Sequence, residues 1–182
     1  MEHKGSIPIE TPRLLLRPFT AEDAPAMYRN WAGDPEVTKF LTWPPHAGPA
    51  ESLEVVSRWM KEAERPDFYQ WAIVLKELGE PIGSLSVVRQ DDRVGSAELG
   101  YCIGRAWWGR GLTAEAARAV IEYLIREVGM VRVAACHDVR NPNSGAVMRK
   151  AGMTKEGVLR SAQRCNQGLS DIAVYSILPS EL

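Results

Sequence analysis

The chain has 182 residues, with 22 lysines and arginines against 23 aspartates and glutamates, a formal net charge of -1, and a composition that is 45 % hydrophobic and 25 % charged. Such a balance describes one globular domain, residues 1–182, with an ordinary core. Scattered basic residues exclude the broad positive field of a nucleic-acid binder, and no run of 18 apolar residues offers a membrane span.

The first ten residues, MEHKGSIPIE, lack an apolar segment of signal-peptide length and are expected to be a loose start. "RLLLRPF" (13–19) reads as a strand, and "TAEDAPAMYRNWA" as a helix with Thr20 as N-cap, acids in its first turn and Gly33 at its end. "LTWPPHAGP" is broken by Pro44, Pro45, Gly48 and Pro49, so it is a loop, and Pro49 suits the first turn of a second helix running to about Ala63. "YQWAIVL", "EPIGSLSVV" and "SAELGYCIG" are strand-like runs parted by "KELG" and "QDDRVG", an antiparallel meander. Leu112, Ala116, Val120, Tyr123 and Leu124 recur at helical spacing up to Gly129, and "VRVAACHDV" returns as a strand. "NPNSGAVMRKAG" is a short helix with Asn141 as N-cap and Gly152 past its end. Two last strands, near Met153–Leu159 and Ser170–Ile177, flank a polar loop. The expected class is therefore α/β (α+β): a mixed, mostly antiparallel sheet of about seven strands flanked by about four helices.

Cys102, Cys136 and Cys165 form no CxxC pair and no zinc-like cluster with His3, His46 or His137, which points to a reduced, cytoplasmic protein without a metal. The first two lie in apolar runs and read as small buried hydrophobes. The chemistry is concentrated in "GRAWWGRGLTAEAA" (104–117). A glycine pair at 109 and 111 opening a helix places free N–H groups and the positive end of the helix dipole together, an anion site of the kind that holds phosphate. A tight corner with Trp107 and Trp108 plugging the core explains the same residues. The Walker pattern is absent, and a dinucleotide fold would carry "GRGLTA" in its first strand-turn-helix unit, not about a hundred residues into a meander.

Three segments in this order, "TPRLLLRPFTAEDA", "AELGYCIGRAWWGRGLTAEA" and "NPNSGAVMRKAGMTKEGVLR" followed by "NQGLSD", resemble the GNAT superfamily of acetyl-CoA-dependent N-acetyltransferases. Within it they are similar to the Rim type, which acetylates ribosomal-protein N-termini. The resemblance implies that the amides of Gly109, Arg110, Gly111, Leu112, Thr113 and Ala114 hold the CoA pyrophosphate, with the Arg110 side chain a further phosphate partner. It implies that the strand ending at Ile103 is splayed from its neighbour, freeing backbone near Tyr101–Ile103 for pantetheine. Asn141 and Ser144 match the family's N-x-x-S, the asparagine toward pantetheine and the hydroxyl toward the CoA sulfur; helix capping accounts for Asn141 equally well. Ala106 stands where relatives often carry Gln or Arg, Met148 where many have a tyrosine acid, and Gln163 near a glutamate base of some relatives.

Acetyl transfer to an amine needs a base, an amide donor and a weak acid. Glu98, just before the glycine turn, is the candidate base, an outward-facing strand carboxylate being the plain alternative; His137 is the fallback. Of the amino-terminal aromatics, Trp59 at helical spacing belongs to the core and Trp43 in its proline-rich loop is the candidate acceptor contact. The expected activity is direct acetyl transfer from acetyl-CoA to a primary amine, foremost a protein or peptide N-terminus. A small-molecule or aminoglycoside-like amine needs only another pocket, and a non-catalytic acyl-CoA-binding module remains the reading from a different class. The expected partners are acetyl-CoA and the amine, with no nucleic acid and no membrane; a homodimer is left open.

Overall fold

A computed structural model describes residues 1–182. One sheet of eight strands runs through it in the order β1-β2-β3-β4-β5-β6-β8-β7. The strands are β1 (Ile9–Glu10), β2 (Leu14–Arg17), β3 (Gln70–Leu75), β4 (Glu80–Asp91), β5 (Ser96–Ile103), β6 (Arg132–Asp138), β7 (Thr154–Cys165) and β8 (Gly168–Ile177). Every neighbouring pair is antiparallel except β5 and β6, whose parallel crossover is made by a helix. The helices are α1 (Ala24–Met27), α2 (Pro35–Thr38), α3 (Pro49–Glu62), α4 (Leu112–Tyr123) and α5 (Pro142–Lys150).

Period-two alternation divides the sheet side chains between two cores. Leu14, Leu16, Trp71, Ile73, Leu85, Leu99, Val133, Ala135 and Tyr175 meet α4 and α5 in the larger one. Ala72 and Val74 meet Phe19, Met27, Trp31 and Val56 of the α1–α3 side in the smaller one. Burying apolar side chains on both faces contributes about 25 cal/mol per Å² removed from water, so the sheet is held as the middle layer of a sandwich.

Local chemistry sets the helix starts. The Asp23 carboxylate accepts from the Thr20 N–H (2.8 Å) and from both terminal nitrogens of Arg17 (2.7 and 2.8 Å), which fixes the entry to α1. Residues Tyr28–Ala32 then widen into a π turn that stops at Gly33. The short α2, absent from the sequence expectation, follows on an Asp34 cap that accepts from the Glu36 N–H at 2.9 Å.

Two expectations are corrected. The segment before β1 is tied down: Gly5 N–H donates to Pro66 O (2.7 Å), Ser6 Oγ accepts from the Gln70 N–H (2.7 Å), and the Trp71 indole and Tyr123 hydroxyl donate to the carbonyls of Ile7 and Gly5. Its polar residues serve as hydrogen-bond partners for a sheet edge and a buried phenol. The expected polar loop after Leu159 is strand: β7 runs on to Cys165 and turns directly into β8. An edge strand tolerates polar side chains on both faces, and the register slips between Leu159 and Gln163, where Ser161 takes φ +48° with its N–H on Asp171 Oδ1 (2.8 Å).

The feature that positions the site is an incomplete pairing. β5 and β6 are joined only from Ser96↔Arg132 to Leu99↔Ala135, although both strands continue. Beyond that point they part, leaving the β6 side of Gly100–Ile103 without a partner strand.

Candidate active site

At the end of β5 the chain makes a short 3₁₀ turn at Arg105–Trp107 and enters the glycine pair. Gly109 and Gly111 have φ of +74° and +75°, backbone that only glycine adopts without strain, and a Cβ on Gly109 would meet nothing within 4 Å. The N–H groups of Gly109, Arg110 and Gly111 donate to no backbone carbonyl, and α4 begins immediately at Leu112. Six successive amides therefore gather at a helix N-terminus, a cradle that fits a diphosphate. The turn is braced from the β1–β2 connection: Arg13 Nη1 donates to Arg110 O (2.9 Å), and Glu115 accepts from Thr11 Oγ1 (2.6 Å), the Arg13 N–H (3.0 Å) and Arg13 Nε (2.7 Å). Burial alone would raise the Glu115 carboxyl, but these bonds outweigh it and hold it below its ordinary value. Arg110 itself turns outward to Glu77 at 3.1 Å, so the structure presents backbone here rather than that guanidinium.

A cavity of about 1580 Å³ runs from this turn through the gap between β5 and β6 and out over the α1–α3 face. It is lined by Ile103, Gly109, Gly111, Leu112, Thr113, Ala114, Asn141, Ser144, Glu98 and Trp43, and thus unites the candidate residues with the exception of Arg110.

Glu98 lies where the strands begin to part, opposite Ala134 in register. Its Oε1 accepts from the Cys136 thiol at 3.3 Å and its Oε2 lies 3.5 Å from Arg89 Nη1. Burial first, and then the Glu98 charge, push the Cys136 thiol up to about 12, so it is a proton donor to the carboxylate at neutral pH. Cys136 also reaches Gln163 Oε1 at 3.7 Å. Rather than a small buried hydrophobe, it is a half-buried thiol lining the cavity and bridging Glu98 and Gln163. Register could have found it: Cys136 is two residues beyond Ala134 on the same face of the neighbouring strand.

On the other side of the gap, the Tyr101 hydroxyl meets Ser144 twice, at its carbonyl (3.0 Å) and at Oγ (3.1 Å). Burial holds the phenol well above its ordinary value, against the lowering effect of the Ser144 bond, so it keeps its proton. Since a carbonyl only accepts, a phenol proton placed there leaves Ser144 Oγ–H as the donor in the second contact. Asn141 precedes α5, but its side chain makes no capping bond, and so remains available to the cavity it lines. Met148 is 1 % exposed in the larger core. The fallback His137 borders the same cavity, with its Nδ1 bonded to Asp138 O (2.8 Å), its ring packed on Tyr175, and its Nε2 2.6 Å from where a Cβ on Gly145 would fall.

The far wall of the cavity is aromatic. Trp43 packs on His46 with ring centroids 5.4 Å apart and Trp59 on Phe19 at 4.9 Å, and both border the smaller core. The loop bearing Trp43 is clasped by the β7–β8 turn: Asn166 N–H donates to Leu41 O (3.0 Å), and its Nδ2 to Thr38 O (2.8 Å) and Trp43 O (2.7 Å). Behind the clasp, Arg140 pairs with the buried Asp138 at 2.6 Å and lies over the Phe40 ring. The Arg140 hydrogen bonds hold the Asp138 carboxyl far below the carboxylate range.

A sheet parted at its one parallel junction, with an amide cradle at one end of the gap and a carboxylate at the other, fits the acyl-CoA-dependent transferase frame that the sequence resemblance implies. The acetyltransferase (GNAT) domain family matches residues 13–154. The N-acetyltransferase p20 of Bacillus licheniformis is 30 % identical over 171 residues, which is 94 % of this chain and 96 % of that protein. The ribosomal-protein-serine acetyltransferase of Escherichia coli is 25 % identical over 136 residues, 75 % of each. Among solved structures, a RimL ribosomal L7/L12 α-N-protein acetyltransferase in complex with coenzyme A superposes with a TM-score of 0.84 at 22 % identity, covering 94 % of this chain and 97 % of that one. The chain belongs to the GNAT acetyltransferase family and is an N-acetyltransferase.

Proposed function

We propose that this protein transfers the acetyl group of acetyl-CoA directly to a primary amine, the N-terminal amine of a protein or peptide. One observation supports the reading above the others: Glu98 stands where β5 and β6 begin to part, on the face opposite the larger core, in the one cavity that reaches both the glycine turn and the α1–α3 side. In this reading the amine enters from the α1–α3 side and meets there the end of a cofactor arm threaded from the glycine turn. The amides of residues 109–114 bind the diphosphate of the cosubstrate, and the unpaired edge near Tyr101–Ile103 and Asn141 hold its pantetheine arm. Glu98 takes the proton of the incoming ammonium, through water where the distance requires it, and its exposed partner Arg89 gives way to the substrate charge. Ser144 lies toward the sulfur, with Tyr101 fixing its hydroxyl.

Support for a protein acceptor comes from the ribosomal-protein-serine acetyltransferase among the relatives. The cytoplasm, where acetyl-CoA and nascent N-termini meet, is the compartment this reading implies. No helix is long and apolar enough to cross a membrane. The test is loss of thioester absorbance with acetyl-CoA and a panel of N-terminal peptides, polyamines and aminoglycosides. Acceptor-dependent turnover with peptides is expected; turnover confined to small amines would remove the peptide assignment, and CoA binding without turnover on any acceptor would remove the catalytic one.

A further inference from the structure

The cavity extends well past Glu98. On β5, Glu98, Gly100 and Cys102 point to the α1–α3 face, and β4 sets Arg89, Ser86 and Ser84 opposite them. The floor between the carboxylate and Cys102 is therefore built of small residues. Gly100 has no side chain because Val88 occupies its place: a Cβ there would fall 2.6 Å from Val88 Cγ1. Val88 sits at the β4 register shift, is 61 % exposed and lines the cavity, an apolar side chain held open to solvent beside the candidate base. Cys102, at the far end of the floor, packs against the smaller core together with Trp43, Val55 and Trp59.

These walls are preformed. Trp43 is fixed by the Asn166 clasp and by His46, whose Nδ1 is bonded to the buried Ser52 hydroxyl at 2.7 Å, and Trp59 is fixed by Phe19. The charged groups lining this half include Glu36, Lys39 and Arg58, the first and last of them exposed, and the buried Asp138, whose charge is met by Arg140. A carboxylate at one end and an aromatic, aliphatic recess at the other complement an amine that adjoins an uncharged apolar group.

We infer that the acceptor carries a bulky apolar side chain on the residue bearing the reacting amine, seated between Trp43, Val55 and Trp59 while the amine faces Glu98. This rests on the proposed role of Glu98 and differs from the serine of the related ribosomal enzyme's name. Burying a Leu- or Phe-sized group is worth about 10- to 150-fold in affinity over leaving it in water, which sets the expected discrimination.

Two independent measurements test it. The first is kcat/KM for otherwise identical peptides beginning with Phe, Leu, Ala, Ser or Asp, with spermidine as a charged comparison; Phe and Leu are expected to exceed Ala and Ser by about tenfold or more. The second needs no turnover: calorimetric binding of N-acetyl-phenylalaninamide and N-acetyl-alaninamide to the CoA-loaded protein, with the same preference expected. Trp43→Ala should erase the preference, and Val55→Phe, which fills the recess, should reverse it toward Ala, with CoA affinity as the folding control in both. Equal or better performance of Ala, Ser, Asp or spermidine would overturn the inference. A preference in binding without turnover on any acceptor would leave the recess standing and remove the catalytic reading instead, and turnover without the preference would do the opposite.

Discussion

Replacing Glu98 by Gln isolates the carboxylate from its surroundings. Its ion pair with Arg89 spans 3.5 Å and the arginine is 81 % exposed, so losing it costs at most about 1 kcal/mol of stability and the fold is retained. Turnover, by contrast, should fall by about 10²- to 10⁴-fold, the usual contribution of a positioned general base, while acetyl-CoA affinity stays nearly unchanged. The loss should shrink as pH rises, because an amine already neutral in solution no longer needs a base. A second readout comes from the neighbouring thiol. Cys136 is raised to about 12 first by burial and then by the Glu98 charge, so Glu98→Gln should bring its titration down while leaving it above that of a free thiol. Alkylation rate against pH, followed by mass spectrometry of the Cys136 peptide, measures this. Full activity with an unchanged pH profile would refute the base assignment, and an unmoved Cys136 titration would refute the contact itself.

Gly111→Val forces a β-branched residue to φ +75°; with Arg13 Nη2 at 3.7 Å the nearest atom to its Cβ, the chain has room to fold, but relief of the strain moves the amides. CoA affinity measured by calorimetry should fall at least about tenfold, since each hydrogen bond to a charged group is worth about 1.5–3 kcal/mol; unchanged affinity in a folded protein would displace the diphosphate from this turn. Ser144→Ala should lower kcat modestly with little effect on CoA affinity, and Tyr101→Phe should act in the same direction but non-additively with it, because the two hydroxyls are 3.1 Å apart; strictly additive effects in the double variant would show that they act separately. Asp138→Asn, at a carboxylate 6 % exposed and bonded to Arg140, should cost roughly 1–3 kcal/mol in chemical denaturation at neutral pH. Since the folded value is depressed, that stability is present above the ordinary carboxylate range and is lost as pH falls through the folded value, so the gap between variant and parent should close below about pH 4.

The elements that announce themselves in sequence are those whose signals are local. Apolar spacing marks α4, the Pro49 start marks α3, and short polar connectors mark the β3–β4–β5 meander, because each depends on residues within a turn or two of one another. The glycine pair belongs here as well, since two positive φ values in three residues leave glycine as the only unstrained choice. What escapes is decided by distant partners. Cys136 is indistinguishable from a core thiol until strand register sets it against Glu98, and the Tyr101 side chain reads as a β-former until α5 brings Ser144 to its hydroxyl. The polar stretch Arg160–Arg164 looks like a loop because nothing nearby says that it borders the sheet at its open edge. Asn166 shows no periodicity at all, yet three bonds to the segment around Trp43 make it the clasp of that loop.

The departures at Met148 and Gln163 have physical counterparts in the packing. Met148 fills the larger core, where a phenol would need a partner of its own, and the hydroxyl that meets Ser144 comes instead from Tyr101 on β5. Because burial keeps that phenol protonated, giving up its proton would be more costly than for an exposed tyrosine. Gln163 is a neutral acceptor beside a thiol that already donates to Glu98. A second carboxylate there would repel Glu98 across the thiol and raise the proton affinity of the pair; with a carboxamide, Glu98 is left as the single negative charge at the opening of the strands. The substitution that first reads as the loss of a catalytic group thus leaves the local charge to Glu98 and its exposed partner Arg89.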